Sequence, residues 1–147
     1  MSPMSRRSLA RSAAAAAFVL ALPAALAQQT AATAKNRALF QVTDNDPARW
    51  NLILNNMENL RAGVGAEGAE IELVAYGPGI NMLKGDTSVK ERIATALGAG
   101  VKFSACQNTM EVMKVTPADM LPTIGYVRSG VVEVMKKQQQ GWAYIRS

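Results

Sequence analysis

The sequence predicts an α/β protein, a three-layer α/β/α sandwich built on a mainly parallel five-stranded sheet. Runs of β-branched and aromatic residues alternate with segments whose apolar residues recur every three or four positions. Such β-α-β alternation closes through right-handed crossovers, which put helices on both faces of a parallel sheet. Glycine and proline cluster between these runs, as at Gly77-Pro78-Gly79 and Gly98-Ala99-Gly100, where the chain has to turn. With 147 residues, 49% of them hydrophobic and 18% charged, the chain is long enough for one core and too apolar for disorder.

Residues 1–27 read as an export signal and not as part of the fold. Arg6, Arg7 and Arg11 give a positive start, an alanine-rich apolar stretch follows, and Ala25-Leu26-Ala27 offers a small-x-small cleavage site. The apolar run, interrupted by Pro23, falls short of the roughly 20 residues a membrane-spanning helix needs. Ser5-Arg6-Arg7-Ser8-Leu9 approximates a twin-arginine signal. Residues 28–37 read as a polar linker and residues 38–147 as a single domain.

Within that domain residues 38–43 form the first expected strand. Asp46 then caps a helix and Pro47 fits its first turn. Trp50, Ile53, Leu54, Met57 and Leu60 make the buried stripe of this helix. Residues 70–76 are the second strand, and a short helix carries Ile80, Met82 and Leu83. Ser88 and Glu91 have the spacing of a reciprocal capping box, opening a helix with Val89, Ile93, Ala96 and Leu97 inward. Residues 101–105 are the third strand, with Cys106 directly past its end, and residues 107–115 a helix. Thr116-Pro117-Ala118-Asp119 starts a turn, residues 123–127 form the fourth strand, a helix carries Val131, Val132, Val134 and Met135, and residues 142–146 are the fifth strand.

Composition removes whole classes of chemistry. The chain contains no histidine and a single cysteine, which excludes a Ser-His-Asp triad, a Cys-His pair, an internal disulfide and a four-cysteine zinc site. No metal and no cofactor is expected. The net charge of +5 falls to +2 once the three arginines of the signal are removed. No basic stripe interleaved with aromatics remains, so neither nucleic-acid binding nor membrane insertion after cleavage is expected. The scattered methionines fit core filling better than a thioether metal array.

Open α/β sheets gather ligands and reactive groups beyond the carboxyl ends of their strands. Three segments meet there: Asp44-Asn45-Asp46, Gly77-Pro78-Gly79 and Cys106-Gln107-Asn108-Thr109. Cys106 at a strand-to-helix junction faces free helix N–H groups, which favour thiolate. A thiolate is a nucleophile, an acceptor of transferred sulfur, or a site of reversible oxidation; the plainer alternative is a buried packing cysteine. Asn108 and Thr109 either bond the sulfur or form a first helical turn. Gly77 and Gly79 fit an anion-binding nest or a tight turn. Asp44 is a candidate binding residue or a turn residue.

The run Val101-Lys102-Phe103-Ser104-Ala105-Cys106-Gln107-Asn108-Thr109-Met110 resembles the central motif of the DsrE/DsrF-like family. Val74-Ala75-Tyr76-Gly77-Pro78-Gly79-Ile80 and Gly141-Trp142-Ala143-Tyr144-Ile145-Arg146 are similar to segments of its exported, largely unassigned branch. The resemblance runs from about residue 38 to residue 146 and implies homotrimers or hexamers. It also implies that Cys106 carries sulfane sulfur as a persulfide and exchanges it with a donor or acceptor protein. The chain departs from the cytoplasmic relay members by its export signal and lacks a second cysteine. The resulting expectation is a periplasmic sulfur carrier. The alternatives are a non-catalytic oligomeric protein binding a small ligand or a partner at the same crevice, and a thiol redox sensor.

Overall fold

A computed structural model describes residues 36–146; the expected export signal and most of the expected linker lie outside the described residues. The elements are β1 (Asn36–Val42), α1 (Pro47–Val64), β2 (Ala69–Ala75), a 3-10 segment Gly77–Leu83, α2 (Lys90–Gly98), β3 (Lys102–Cys106), α3 (Gln107–Met113), β4 (Gly125–Val127), α4 (Gly130–Gln139) and β5 (Ala143–Ile145). Five parallel strands pair in the order β4-β3-β2-β1-β5, the expected fold class.

Strand alternation divides the core in two. Phe40, Val42, Ile71, Leu73, Ala75, Phe103 and Ala105 point to one face, where α1 supplies Trp50, Ile53, Leu54 and Met57 and α2 supplies Ile93. Leu39 and Val74 point to the other, where they meet Val134 of α4 and Trp142. β2, at the centre of the sheet, is buried on both faces from Ile71 to Ala75.

Helix α1 starts as the sequence dictates: the Asp46 carboxylate accepts the Ala48 N–H at 2.9 Å, and Pro47 occupies the first turn. Three local expectations shift. The linker ends earlier than residue 37, because Asn36 and Arg37 pair with Ala69 and Glu70 as the first residues of β1. Their polar side chains are satisfied there, Asn36 donating to the Gly68 carbonyl and Arg37 to that of Gln140. The Ser88 box does not form: α2 begins at Lys90, with Val89 in the capping position and no side-chain cap. Val89 is buried in the main core, and burying an aliphatic side chain outweighs the ~1 kcal/mol of a cap. The fourth strand is shorter than expected, since Thr123, after Pro122, takes a φ of 70° that no strand accommodates.

Candidate functional site

Cys106 is both the last residue of β3 and the residue that caps α3. Its side chain points to the α4 face of the sheet, like that of Ser104 two positions earlier, and only 4% of the residue is exposed. The parallel partner β4 runs directly beside it, Cys106 opposite Val127. The loop after β4 therefore wraps over the sulfur, and the thiol lies 4.0 Å from the Arg128 carbonyl that can accept its proton.

Burial is the largest single influence on this thiol and pushes its pKa up. The hydroxyl of Thr109, together with the backbone N–H groups of Thr109, Gly130 and Asn108, overcomes it, and the net result is a pKa below the ordinary thiol value. These donors come from two helix starts, α3 and α4, whose positive ends converge on one sulfur. Thr109 is oriented for the role. Its oxygen accepts the Gly77 N–H at 3.0 Å, which leaves the hydroxyl proton free to face the sulfur.

Gly130 has to be glycine. A Cβ there would lie 2.7 Å from Cδ1 of Tyr76, so only a bare backbone brings the head of α4 this close. Tyr76 is itself pushed to a higher pKa, chiefly by burial and further by its neighbours Tyr144 and Cys106.

A shallow groove of about 530 Å³ opens beside the thiol, lined by Gly77, Pro78, Asn108, Thr109, Val112 and Met113. Asn108, Thr109 and Gly77 are thus brought together with Cys106, as expected. The two glycines, however, are not an anion nest. The Gly77 N–H is committed to Thr109, and Gly79 is buried where a Cβ would lie 2.3 Å from the Val42 carbonyl oxygen. Gly79 lets the 3-10 segment pack against the end of β1. Asp44 is not part of the thiol site either. It lines a separate cleft with Arg49, Tyr144 and Arg146, its carboxylate 3.7 Å from Arg49 and its carbonyl holding the indole N–H of Trp50 at 2.8 Å. The reason is the sheet order, which puts β2 between β1 and β3.

Sequence reasoning missed Gly130, Arg128 and Tyr76. The signal available was Ser129-Gly130 heading a helix after a strand, but nothing local says that β4 pairs with β3.

The fold is a parallel α/β domain whose single cysteine lies between the starts of α3 and α4. This chain belongs to the DsrE/DsrF-like family, whose family model matches residues 8–146, and that family is associated with sulfur relay. Among solved structures it is similar to a protein of unknown function, MTH1491, from Methanobacterium thermoautotrophicum. That likeness has 35% identity and a TM-score of 0.74, covering 77% of this chain and 100% of the other. A protein of unknown function from Bacteroides thetaiotaomicron, BT1422, shares the fold at 18% identity and a TM-score of 0.63, covering 76% of this chain and 95% of the other. No curated protein matches the chain.

Proposed function

We propose that the protein is a periplasmic sulfur carrier that holds sulfane sulfur on Cys106 as a persulfide. The observation that carries this reading is a thiol buried between the starts of α3 and α4, whose pKa the Thr109 hydroxyl and neighbouring backbone N–H groups hold below the ordinary value, so that negative charge is stabilised where a thiolate attacks and where a persulfide anion rests. The Cys106 thiolate attacks the outer sulfur of a polysulfide or thiosulfate. The bond from that sulfur to the donor breaks, the donor leaves as a shorter polysulfide or as sulfite, and Cys106–S–S⁻ remains. An acceptor thiolate then attacks the outer sulfur and Cys106 leaves as thiolate. Neither step needs a redox cofactor, because each moves one sulfur atom between nucleophiles.

The 4% exposure of Cys106 favours small or terminal sulfane donors over bulky ones. Export of the chain rests on the pattern of residues 1–27. Assembly into a trimer or hexamer is supported by the family and by the apolar side chains of Val131, Val132 and Met135 on the outer face of α4, which are 60%, 40% and 48% exposed.

Cyanide treatment of donor-loaded protein tests the reading, since cyanide removes the outer sulfur of a persulfide as thiocyanate. Wild type should release thiocyanate in proportion to loaded protein and Cys106→Ser none; equal release from both would refute it.

A further inference from the structure

The sheet face that carries Cys106 also buries a charge pair that the thiol site does not use. Glu72, in the middle of β2, is 3% exposed. One of its carboxylate oxygens accepts from the Ser104 hydroxyl at 2.7 Å, and the other lies 2.7 Å from Nζ of Lys137. Lys137, near the end of α4, also stands 3.7 Å from Glu133 and 4.2 Å from the centre of the Trp142 ring. A buried ion pair loses so much hydration that apolar residues of equal volume hold two elements together at least as well. Its distinctive contribution is geometry, because a charged hydrogen bond fixes register where an apolar contact slides.

The register in question is that of α4 along the sheet. Its buried footing consists of Gly130 and Val134 alone. Gly130 stands at one end, packed against Tyr76 and two residues after the Arg128 carbonyl that lies 4.0 Å from the sulfur; Lys137 lies two turns along the same helix. Ser104, which Lys137 reaches through Glu72, lies two residues before Cys106 on the same strand and face. The contacts therefore close a circuit from Cys106 to Gly130, along α4 to Lys137, through Glu72 to Ser104, and back along β3.

We propose that Lys137 is a positioning residue for Cys106: through Glu72 and Ser104 it sets the axial position of α4 and so holds the Gly130 N–H on the sulfur. This rests on Cys106 being the working thiol and identifies what tunes it. The groups around the sulfur are the Thr109 hydroxyl and N–H from α3, the Gly130 N–H from α4, Tyr76 past the end of β2 and the Arg128 carbonyl from the loop after β4, which also accepts the Asn108 N–H at 3.2 Å. The Arg128 guanidinium is turned away onto Glu111. Neither Glu72 nor Lys137 is among these groups, so an effect of either on the thiol has to travel through the position of the helix.

The test is the pH profile of Cys106 alkylation by iodoacetamide, with the full chain and no sulfur donor present. It compares wild type, Lys137→Met, the charge-free pair Glu72→Gln with Lys137→Met, and Ser104→Ala. The pair leaves no uncompensated buried charge and so preserves folding, and Ser104→Ala removes only one hydroxyl. The expected result is a midpoint about one pH unit higher in Lys137→Met and in the pair, which is about a tenfold smaller thiolate fraction near neutral pH, with a smaller shift of the same sign in Ser104→Ala. Lys137→Arg should restore most of the wild-type profile. A folded pair, or a folded Ser104→Ala, with the wild-type midpoint would overturn the proposal. Because sulfur loading is not the readout, a protein that never forms a persulfide fails the functional reading without affecting this test.

Discussion

Thr109 shows how one side chain ties two loops to a sulfur. Its oxygen holds the Gly77 N–H and its proton faces Cys106. Thr109→Val keeps the shape and removes both bonds. The thiol pKa should rise and alkylation near neutral pH should slow several-fold, while the orphaned Gly77 N–H costs stability of about 1–3 kcal/mol; Thr109→Ser should recover both. The pH dependence has a definite sign. A thiol whose folded pKa lies below its unfolded value of about 8.5 favours the native state as pH rises from the folded value to the unfolded one, and the benefit is lost as pH falls back through the folded value. Chemical denaturation of wild type and Cys106→Ser across that window should show wild type gaining stability toward alkaline pH and the variant lacking that gain. That Cys106 stands where a strand ends and a helix begins was legible from its place at the end of an apolar run. That Gly130 and Arg128 complete its surroundings was not, because their approach depends on pairing between strands about 20 residues apart.

At the scale of elements, local pattern and tertiary packing agree over most of the chain. The stripe of α1 and its Asp46 cap are encoded within a few residues of one another, so the sequence alone specifies them. The start of α2 is not specified locally: the Ser88–Glu91 spacing is overruled by the burial of Val89. The same contrast separates two glycines. Gly79 touches the backbone of β1, and Gly79→Ala should destabilise by about 2–4 kcal/mol and shift the 3-10 segment that carries Gly77. Gly63, in the last turns of α1 with nothing near its missing Cβ, should gain about 0.5–1 kcal/mol on substitution by alanine. Thermal unfolding of the two variants side by side checks both signs.

For the whole molecule, helix α4 is the single helix over the second face of the sheet among the described residues, and it presents Val131, Val132 and Met135 outward. An assembly that covers them accounts for that surface better than solvent does. Light scattering on the purified protein should give a mass of three or six chains, and Val131→Glu should reduce it; a monomeric wild type would contradict the assembly. The proposed export makes a separate prediction: protein recovered from the periplasm should begin after Ala27, and a chain that keeps residues 1–27 in the cytoplasm would contradict it. A sheet order of β4-β3-β2-β1-β5 was outside the reach of periodicity, although the number of strands and their parallel sense followed from the alternation of elements.

The central claim is that Cys106 accepts sulfane sulfur, and intact-mass spectrometry of the purified protein after incubation with polysulfide or thiosulfate tests it most directly. A gain of about 32 Da or its multiples, removed by reductant and absent from Cys106→Ser, is the expected result. An unchanged mass, with Cys106 also unreactive toward alkylating reagents, would mean a structural thiol and contradict it.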